Sequence, residues 1–159
     1  MGRPIFDDIK NISVQNNYRI PISVNIKVDD TRFIGNYVSM GNPHLVIFVN
    51  NVENIDIEKY GPAIENMKCF QNKINVEFVQ CLGRNTLKIR TWERGVGETY
   101  ACGTGSCASF CIAYYKGICS NYVKAILRGG ELKLNYNKQN GHIIMSGIAT
   151  KVYDGNISI

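Results

Sequence analysis

The sequence predicts an α+β fold in which a mixed or antiparallel β-barrel is wrapped around one central buried helix. Short stretches in which apolar and polar residues alternate recur along the chain, and this pattern is typical of half-buried strands. Residues 104–116 are apolar on nearly every face, which predicts a helix buried on most sides. Many short strands around one buried helix favour a barrel-like α+β arrangement.

The first half of the chain is predicted to hold five strands and one helical region. The strands are expected over residues 18–28, 31–40, 44–49, 74–80 and 85–92. Asp56 is a suitable N-cap for a helix with apolar residues at positions 57, 60, 63, 64 and 67. Pro62 lies inside this stretch, so we expect a kink or two short helical pieces.

The second half begins with the central helix, predicted over residues 104–116 and ended by Gly117. Four more strands are expected over residues 122–127, 131–136, 142–148 and 151–153. Gly-Gly, Asn-Gly and Asp-Gly dipeptides between or after these strands predict tight turns. Because we find no linker, repeat or low-complexity stretch, residues 1–159 are interpreted as a single domain.

Composition and charge argue against several classes of protein. The net charge of +5 comes from scattered Lys and Arg residues rather than a basic patch, so nucleic-acid binding is not expected. No apolar run approaches the roughly 20 residues that a membrane span needs. The first residues contain neither a basic region nor an apolar one, so we predict no signal peptide and a cytoplasmic location.

The six cysteines do not form a disulfide or metal-binding pattern. The chain lacks the closely spaced cysteine pairs of a structural zinc site, and no metal is expected. Cys107 and Cys111 share one helix face and are interpreted as core residues. Cys102 differs because it directly precedes the predicted helix.

Cys102 is the strongest candidate for a catalytic residue. It stands before Gly103-Thr104-Gly105 at a helix N-terminus, where the macrodipole and unpaired N–H groups favour negative charge, so we expect a lowered thiol pKa. The same N–H groups can hold a carboxylate, which suggests proton chemistry at a carbon beside a carboxyl group. The alternatives are a buried structural cysteine, glycines that serve only the turn, and Thr104 as an ordinary N-cap.

Three further residues have both a functional and a structural interpretation. Glu93 and Arg94 end a predicted strand, where a solvated pair is the ordinary case. Arginine also suits bidentate carboxylate recognition, and a neighbouring glutamate can relay a proton or hold an ammonium group. His44 follows Gly41-Asn42-Pro43 at a strand start, where side chains can point into a cleft, although a lone histidine is more often structural.

These motifs resemble the diaminopimelate epimerase family. Residues 92–105 read WERGVGETYACGTG, which is similar to the signature of the family's second half. Residues 41–44 read GNPH, and residues 74–79 read INVEFV, both similar to further elements of the family. Gly129-Gly130 and Ser146-Gly147 fit its closing strands, so the resemblance covers essentially the whole chain.

The resemblance implies an enzyme without a cofactor that interconverts LL- and meso-diaminopimelate, on the route to lysine and peptidoglycan. Two cysteines in two mirrored domains act on opposite faces of the stereocentre, one as a thiolate base and the other as a thiol acid. By similarity Cys102 is the second cysteine and Glu93 is its proton-handling neighbour, while His44 serves the other cysteine. Substrate contacts are implied for Asn42, Asn75, Glu93, Arg94, Gly103 and Thr104.

The chain departs from the family pattern in two places. Residues 70–74 read FQNKI where the family has a Pro and a Gly, which alters the loop before Asn75. The Cys-Gly and Asn-Gly signature of the family's first half is also absent, and Cys102-Gly103 is the only Cys-Gly pair. The sequence therefore resembles a C-terminal half that needs an N-terminal half for full epimerisation.

Three alternatives remain open from the sequence. The chain can be a non-catalytic domain of this fold that binds a ligand or partner, or a related racemase of the same fold. Two copies can also face each other, so that two Cys102 residues make a pseudo-complete site. Separately, the family resemblance suggests a homodimer of the full enzyme. The stretch 155–159 is expected to be exposed, or to pair with the N-terminal domain or with a partner.

Overall fold

The computed structural model describes residues 1–6 and 22–157. These residues form nine strands and two α-helices. The strands are β1 (Ile22–Val28), β2 (Thr31–Ser39), β3 (Pro43–Phe48), β4 (Asn75–Cys81), β5 (Thr86–Glu93), β6 (Gly97–Thr99), β7 (Tyr122–Leu127), β8 (Gly130–Tyr136) and β9 (Ile143–Ser146). The helices are α1 (Ile57–Glu65) and α2 (Gly103–Tyr115), with a short 3₁₀ turn over Val52–Asn54.

All nine strands belong to one mixed sheet. Its order is β1-β2-β3-β4-β5-β7-β8-β9, and β6 pairs with β5 beside this path. The β3–β4 and β5–β7 pairs are parallel and the others are antiparallel. Parallel neighbours need a crossover connection, and here the two crossovers carry α1 and α2.

The central strands are buried on both faces. On β3, Val46 packs in the core around α2, and its neighbour Leu45 packs in the core around α1. Val79 and Phe78 on β4 divide in the same way. Because successive side chains point to opposite faces, each strand contributes to two separate cores.

Residues 1–6 close the barrel around α2. Ile5 and Ser39 exchange two backbone hydrogen bonds of 2.9 and 2.8 Å at the end of β2. Ile143 at the start of β9 donates to the Gly2 carbonyl at 3.0 Å. The segment therefore lies between the two strands, and α2 contacts β2 to β5 and β7 to β9. This confirms the predicted α+β fold with a barrel around a central helix.

The expectation of two short helical pieces at Pro62 is wrong. Pro62 lies inside the single helix α1, and its carbonyl accepts from the backbone N–H and the side-chain amide of Asn66 at 3.2 and 2.8 Å. The predicted cap is confirmed, since Asp56 Oδ1 accepts from Lys59 N–H at 3.1 Å. The helix presses on the sheet at Gly61, where a Cβ would collide with the Trp92 ring.

The central helix begins one residue earlier than predicted. Cys102 is its N-cap, so the interpretation of Thr104 as the cap is wrong. Residues 105–113 are all buried, as the apolar composition predicts. The chain leaves the helix at Gly117, whose φ of +71° suits glycine.

The predicted last strand is also wrong, because residues 147–157 form no strand. Ile148, Val152 and Tyr153 are exposed there, and Gly2 already bonds Ile143 on the last strand of the sheet. The three-residue strand β6 was not predicted. Residues 18–21 of the first predicted strand, and residues 158–159 of the terminal stretch, lie outside the described residues. Neither described helix has the length and apolar character needed to cross a membrane.

Candidate active site

Cys102 caps the N-terminus of α2 with its own side chain. Its backbone is extended, with φ −128° and ψ 112°, and its sulfur accepts a hydrogen bond from Gly105 N–H at 3.4 Å. The Cys102 carbonyl accepts from Ser106 N–H at 2.9 Å. Helix geometry leaves the N–H groups of Gly103 and Thr104 without intrahelical partners. The sulfur therefore lies beside a place where an anion is favoured.

The predicted lowering of the Cys102 pKa is wrong. Burial raises the pKa of this thiol to about 11, because a thiolate loses its hydration there. Hydrogen bonds from Thr104 and Gly105 lower the pKa, whereas the charges of Glu77 and Glu93 raise it. Desolvation and the two nearby carboxylates raise the pKa by more than the hydrogen bonds at the helix terminus lower it. Cys102 is therefore a neutral thiol at pH 7.

Glu93 ends β5 and is fixed by the small strand β6. Its Oε1 accepts a hydrogen bond of 2.6 Å from the Thr99 hydroxyl. The carboxylate is half-buried, and it acts electrostatically on both Cys102 and Glu77. The predicted pairing of Glu93 with Cys102 therefore has a spatial basis, although its role in proton transfer stays a prediction.

Asn75 joins two loops at the edge of the site. Its Oδ1 accepts from Arg94 N–H at 2.9 Å, and its Nδ2 donates to the Pro43 carbonyl at 2.9 Å. The Arg94 side chain donates in turn to the Asn72 carbonyl at 2.8 Å, inside the altered loop. Both ends of the Asn75 amide hold backbone groups, so this residue orders the loops. Substrate contacts of Asn75 and Arg94 stay predictions.

A buried carboxylate on α1 supports the turn that follows β5. Glu65 Oε2 accepts from Trp92 Nε1 at 2.8 Å, and Oε1 accepts from Gly95 N–H at 3.0 Å. Lys73 Nζ lies 3.4 Å from Oε1. Sequence analysis did not identify Glu65, which fixes the turn that carries Arg94.

His44 is fully buried between two oxygen atoms. Its Nδ1 lies 2.8 Å from Glu77 Oε1, and its Nε2 lies 3.0 Å from Asn42 Oδ1. Asn42 Nδ2 reaches the Thr104 hydroxyl at 3.4 Å, and that hydroxyl lies 3.5 Å from the sulfur of Cys102. The structure thus links the predicted residues Asn42, His44 and Thr104 to Cys102.

Glu77 is a second residue of the site that sequence analysis missed. Its side chain is fully buried and points toward α2, where a Cβ at Gly105 would lie 2.7 Å from Oε1 and 3.3 Å from the sulfur of Cys102. Burial raises the pKa of this carboxyl, His44 lowers it and Glu93 raises it further, and the net direction is upward. The available signal was one acidic residue within the apolar stretch 74–79.

Two relatives in sequence are named diaminopimelate epimerase. The chain is 41% identical over its whole length to a diaminopimelate epimerase of Acetivibrio thermocellus, covering 56% of that protein. It is 48% identical over 122 residues to a diaminopimelate epimerase of Agathobacter rectalis, covering 77% of this chain and 43% of that protein. The chain therefore spans about half the length of the curated relatives it matches.

The fold has a relative among solved structures. A probable proline racemase from Agrobacterium radiobacter K84 matches 83% of this chain and 51% of its own, with a TM-score of 0.53 and 13% identity. That likeness supports the fold alone. The family model described as diaminopimelate epimerase matches residues 36–152, which include every candidate site residue named above. On this match, together with the relatives in sequence, the chain belongs to the diaminopimelate epimerase family.

Proposed function

We propose that this chain supplies one face of an active site that interconverts LL- and meso-diaminopimelate. The observation that carries the proposal is the position of Cys102, whose sulfur caps α2 beside the N–H groups of Gly103 and Thr104, which have no partner within the helix. A carboxylate held by those N–H groups places the adjoining carbon next to the sulfur. Family membership supplies the substrate.

In the proposed reaction Cys102 handles the proton on one face of the reacting carbon. A base on the opposite face removes the Cα proton, and the Cys102 thiol delivers its own proton to the carbanion, leaving a thiolate. The reverse direction uses the Cys102 thiolate as the base. The amides of Gly103 and Thr104 stabilise the charge that develops on the carboxylate. Arg94 is assigned to the distal carboxylate, and Glu93 to the ammonium group or to proton relay.

Inversion needs an acid and a base on opposite faces, and this chain offers one candidate cysteine beside a helix N-terminus in its described residues. A single sulfur can remove a proton and return one to the same face, which gives exchange without inversion. We therefore assign the opposing group to an N-terminal half, consistent with a chain that spans about half of its relatives. Pairing of two copies in a homodimer is the other source of an opposing sulfur.

A non-catalytic domain that binds a ligand or partner is the second candidate. Burial raises the pKa of Cys102 to about 11, so little of the thiolate that would act as the base is present at pH 7, and this favours the non-catalytic candidate. In this case diaminopimelate binds without proton exchange, or does not bind. The two candidates therefore differ in one measurable property, the exchange of the α-proton.

The test is proton NMR of LL- and meso-diaminopimelate in D₂O with the reduced chain. Cys102→Ala is the inactive variant, and Cys69→Ala, a half-buried cysteine outside the site, is the matched control. Exchange that is lost only in Cys102→Ala, without change of configuration, supports the proposal. Full epimerisation would show that no second half is needed. No exchange, even after addition of an N-terminal half, would favour the non-catalytic domain.

A further inference from the structure

Glu98 on β6 binds two arginines that come from different parts of the chain. Its Oε1 accepts from Arg90 Nε at 2.8 Å, and its Oε2 accepts from Arg90 Nη2 at 3.1 Å and from Arg128 Nη1 at 3.0 Å. Arg90 lies on β5, whereas Arg128 lies in the turn between β7 and β8. We call these three residues the Glu98 cluster. It joins three segments of the chain through one carboxylate that is 15% exposed.

Arg90 is also fixed by backbone groups outside the cluster. Its Nη1 donates to the carbonyls of Val52 and Ile55 at 2.9 and 2.8 Å, on the chain just before α1. The side chain is buried, so these bonds are shielded from water. The guanidinium therefore has a set position, and the Glu98 carboxylate binds to it there.

β6 needs such contacts because it is short. It has three residues, and in the part of the sheet that the structure describes β5 is its one partner strand, so backbone bonds alone hold it weakly. Directly after β6, the Tyr100 carbonyl accepts from Gly129 N–H at 2.7 Å. The position of β6 therefore depends on the turn that carries Arg128.

The opposite face of β6 carries a contact to the candidate site. Glu98 and Thr99 are consecutive residues of a strand, so their side chains point to opposite faces. Thr99 Oγ1 donates to Glu93 Oε1 at 2.6 Å. Glu93 acts electrostatically on Cys102. A strand that is fixed through Glu98 on one face therefore directs the Thr99 hydroxyl toward the Glu93 carboxylate on the other.

We propose that the Glu98 cluster positions Thr99, and that the Thr99 hydroxyl holds the Glu93 carboxylate beside Cys102. Thr99 and the members of the cluster are positioning residues. Geometry rather than stability explains the cluster, because a buried ion pair contributes little net stability, whereas bidentate pairing fixes orientation. The inference rests on the proposed function only for its consequence, that Glu93 keeps one orientation for proton relay or for the ammonium group.

Alkylation of Cys102 by iodoacetamide, followed by peptide mass spectrometry, reports where the Glu93 carboxylate lies. The charge of Glu93 raises the pKa of this thiol, so a carboxylate that turns away leaves more thiolate and faster alkylation. Thr99→Val removes the hydroxyl and should accelerate alkylation about two- to fourfold between pH 8 and 9. Thr99→Ser keeps the hydroxyl and should react at the wild-type rate. Thr91→Val is the matched control, because Thr91 is buried, lies in register with Thr99 and has no hydrogen bond from its hydroxyl to a described residue.

Glu98→Gln and Arg128→Gln test the cluster itself, and both should accelerate alkylation. Arg128→Gln changes an exposed side chain and is the more stringent variant, because loss of a positive charge alone would slow alkylation. In a Glu93→Gln background, neither change nor Thr99→Val should alter the rate further, since all of them act through the Glu93 carboxylate.

Two results would overturn the proposal. One is an unchanged rate in Thr99→Val or in Arg128→Gln. The other is further acceleration in the Glu93→Gln background, which would show a general loosening of the structure around the Cys102 sulfur. The assay uses no substrate, so its failure is distinct from failure of the proposed function.

Discussion

Glu65 offers the sharpest test of how the loop that carries Arg94 is held. The Glu65 side chain is 6% exposed and accepts from Trp92 Nε1 at 2.8 Å and from Gly95 N–H at 3.0 Å. In Glu65→Gln only one of the two donors, Trp92 Nε1 or Gly95 N–H, still faces an oxygen. The other donor faces the NH₂ group of the glutamine, which cannot accept a hydrogen bond. One charge-assisted bond is weakened and one buried donor is left unpaired, which together cost about 2–4 kcal/mol.

The assay is urea unfolding, in which the free energy of unfolding should fall by that amount with an unchanged m-value. Glu58→Gln is the matched control, because Glu58 lies on the same helix and is exposed. That substitution should cost under about 1 kcal/mol, from its helix-dipole contribution. A cost at Glu65 as small as that at Glu58 would refute the proposed support of the turn.

The same carboxylate predicts a pH dependence. Burial raises the pKa of Glu65, but hydrogen bonds from Trp92, Gly95 and Lys73 outweigh it, and the net pKa is below its ordinary value. A lowered folded pKa contributes stability above the unfolded pKa of about 4.3, and this is lost as the pH falls through the folded pKa. The difference in the free energy of unfolding between wild type and Glu65→Gln should therefore become smaller below about pH 4. A difference that stays constant down to pH 2 would contradict this assignment.

Three further outcomes can be measured on the same chain. Alkylation of Cys102 should rise about tenfold for each pH unit from 7 to 10, because burial raises its pKa to about 11, and a plateau near pH 8 would disprove a buried neutral thiol. Gly105→Ala places a Cβ 2.7 Å from Glu77 Oε1 and should lower the unfolding free energy by about 1–3 kcal/mol. Gly103→Ala meets only the flexible end of a methionine, at 3.2 Å, and should cost less in the same urea assay; equal costs would count against the clash. Asp56→Ala removes the cap of α1 and should cost about 1 kcal/mol by the same measurement, and no loss would contradict the cap.

Much of the fold could be predicted because local signals agreed with the final packing. The apolar run at 104–116 became α2, and the strand predicted over 122–127 has the observed bounds. The division into two helical pieces at Pro62 was wrongly expected, since α1 continues through Pro62 and Asn66 N–H bonds its carbonyl. The strand at 151–153 was misjudged because three alternating residues carry no information about whether a partner strand is available.

The sequence predicted most residues of the candidate site but not the contacts between them. The motif around Cys102 identified the sulfur. Whether its pKa is raised or lowered depends instead on burial and on the charges of Glu77 and Glu93, which lie on β4 and β5 rather than on the helix. The Glu77 carboxylate could not be placed, because the sequence does not show which face of a doubly buried strand meets α2. His44 was predicted, whereas its pairing with Glu77 depends on the parallel register of β3 and β4.

The closure of the barrel by residues 1–6 also bears on how the chain folds. Gly2 bonds Ile143, so this contact spans nearly the whole chain and has one of the largest loop-closure costs in the molecule. Contacts of such long range slow folding, and during synthesis the contact cannot form until Ile143 has left the ribosome. Until then one side of the apolar helix α2 lacks its cover, so nascent or partly unfolded chains should be the species most prone to aggregation and chaperone binding.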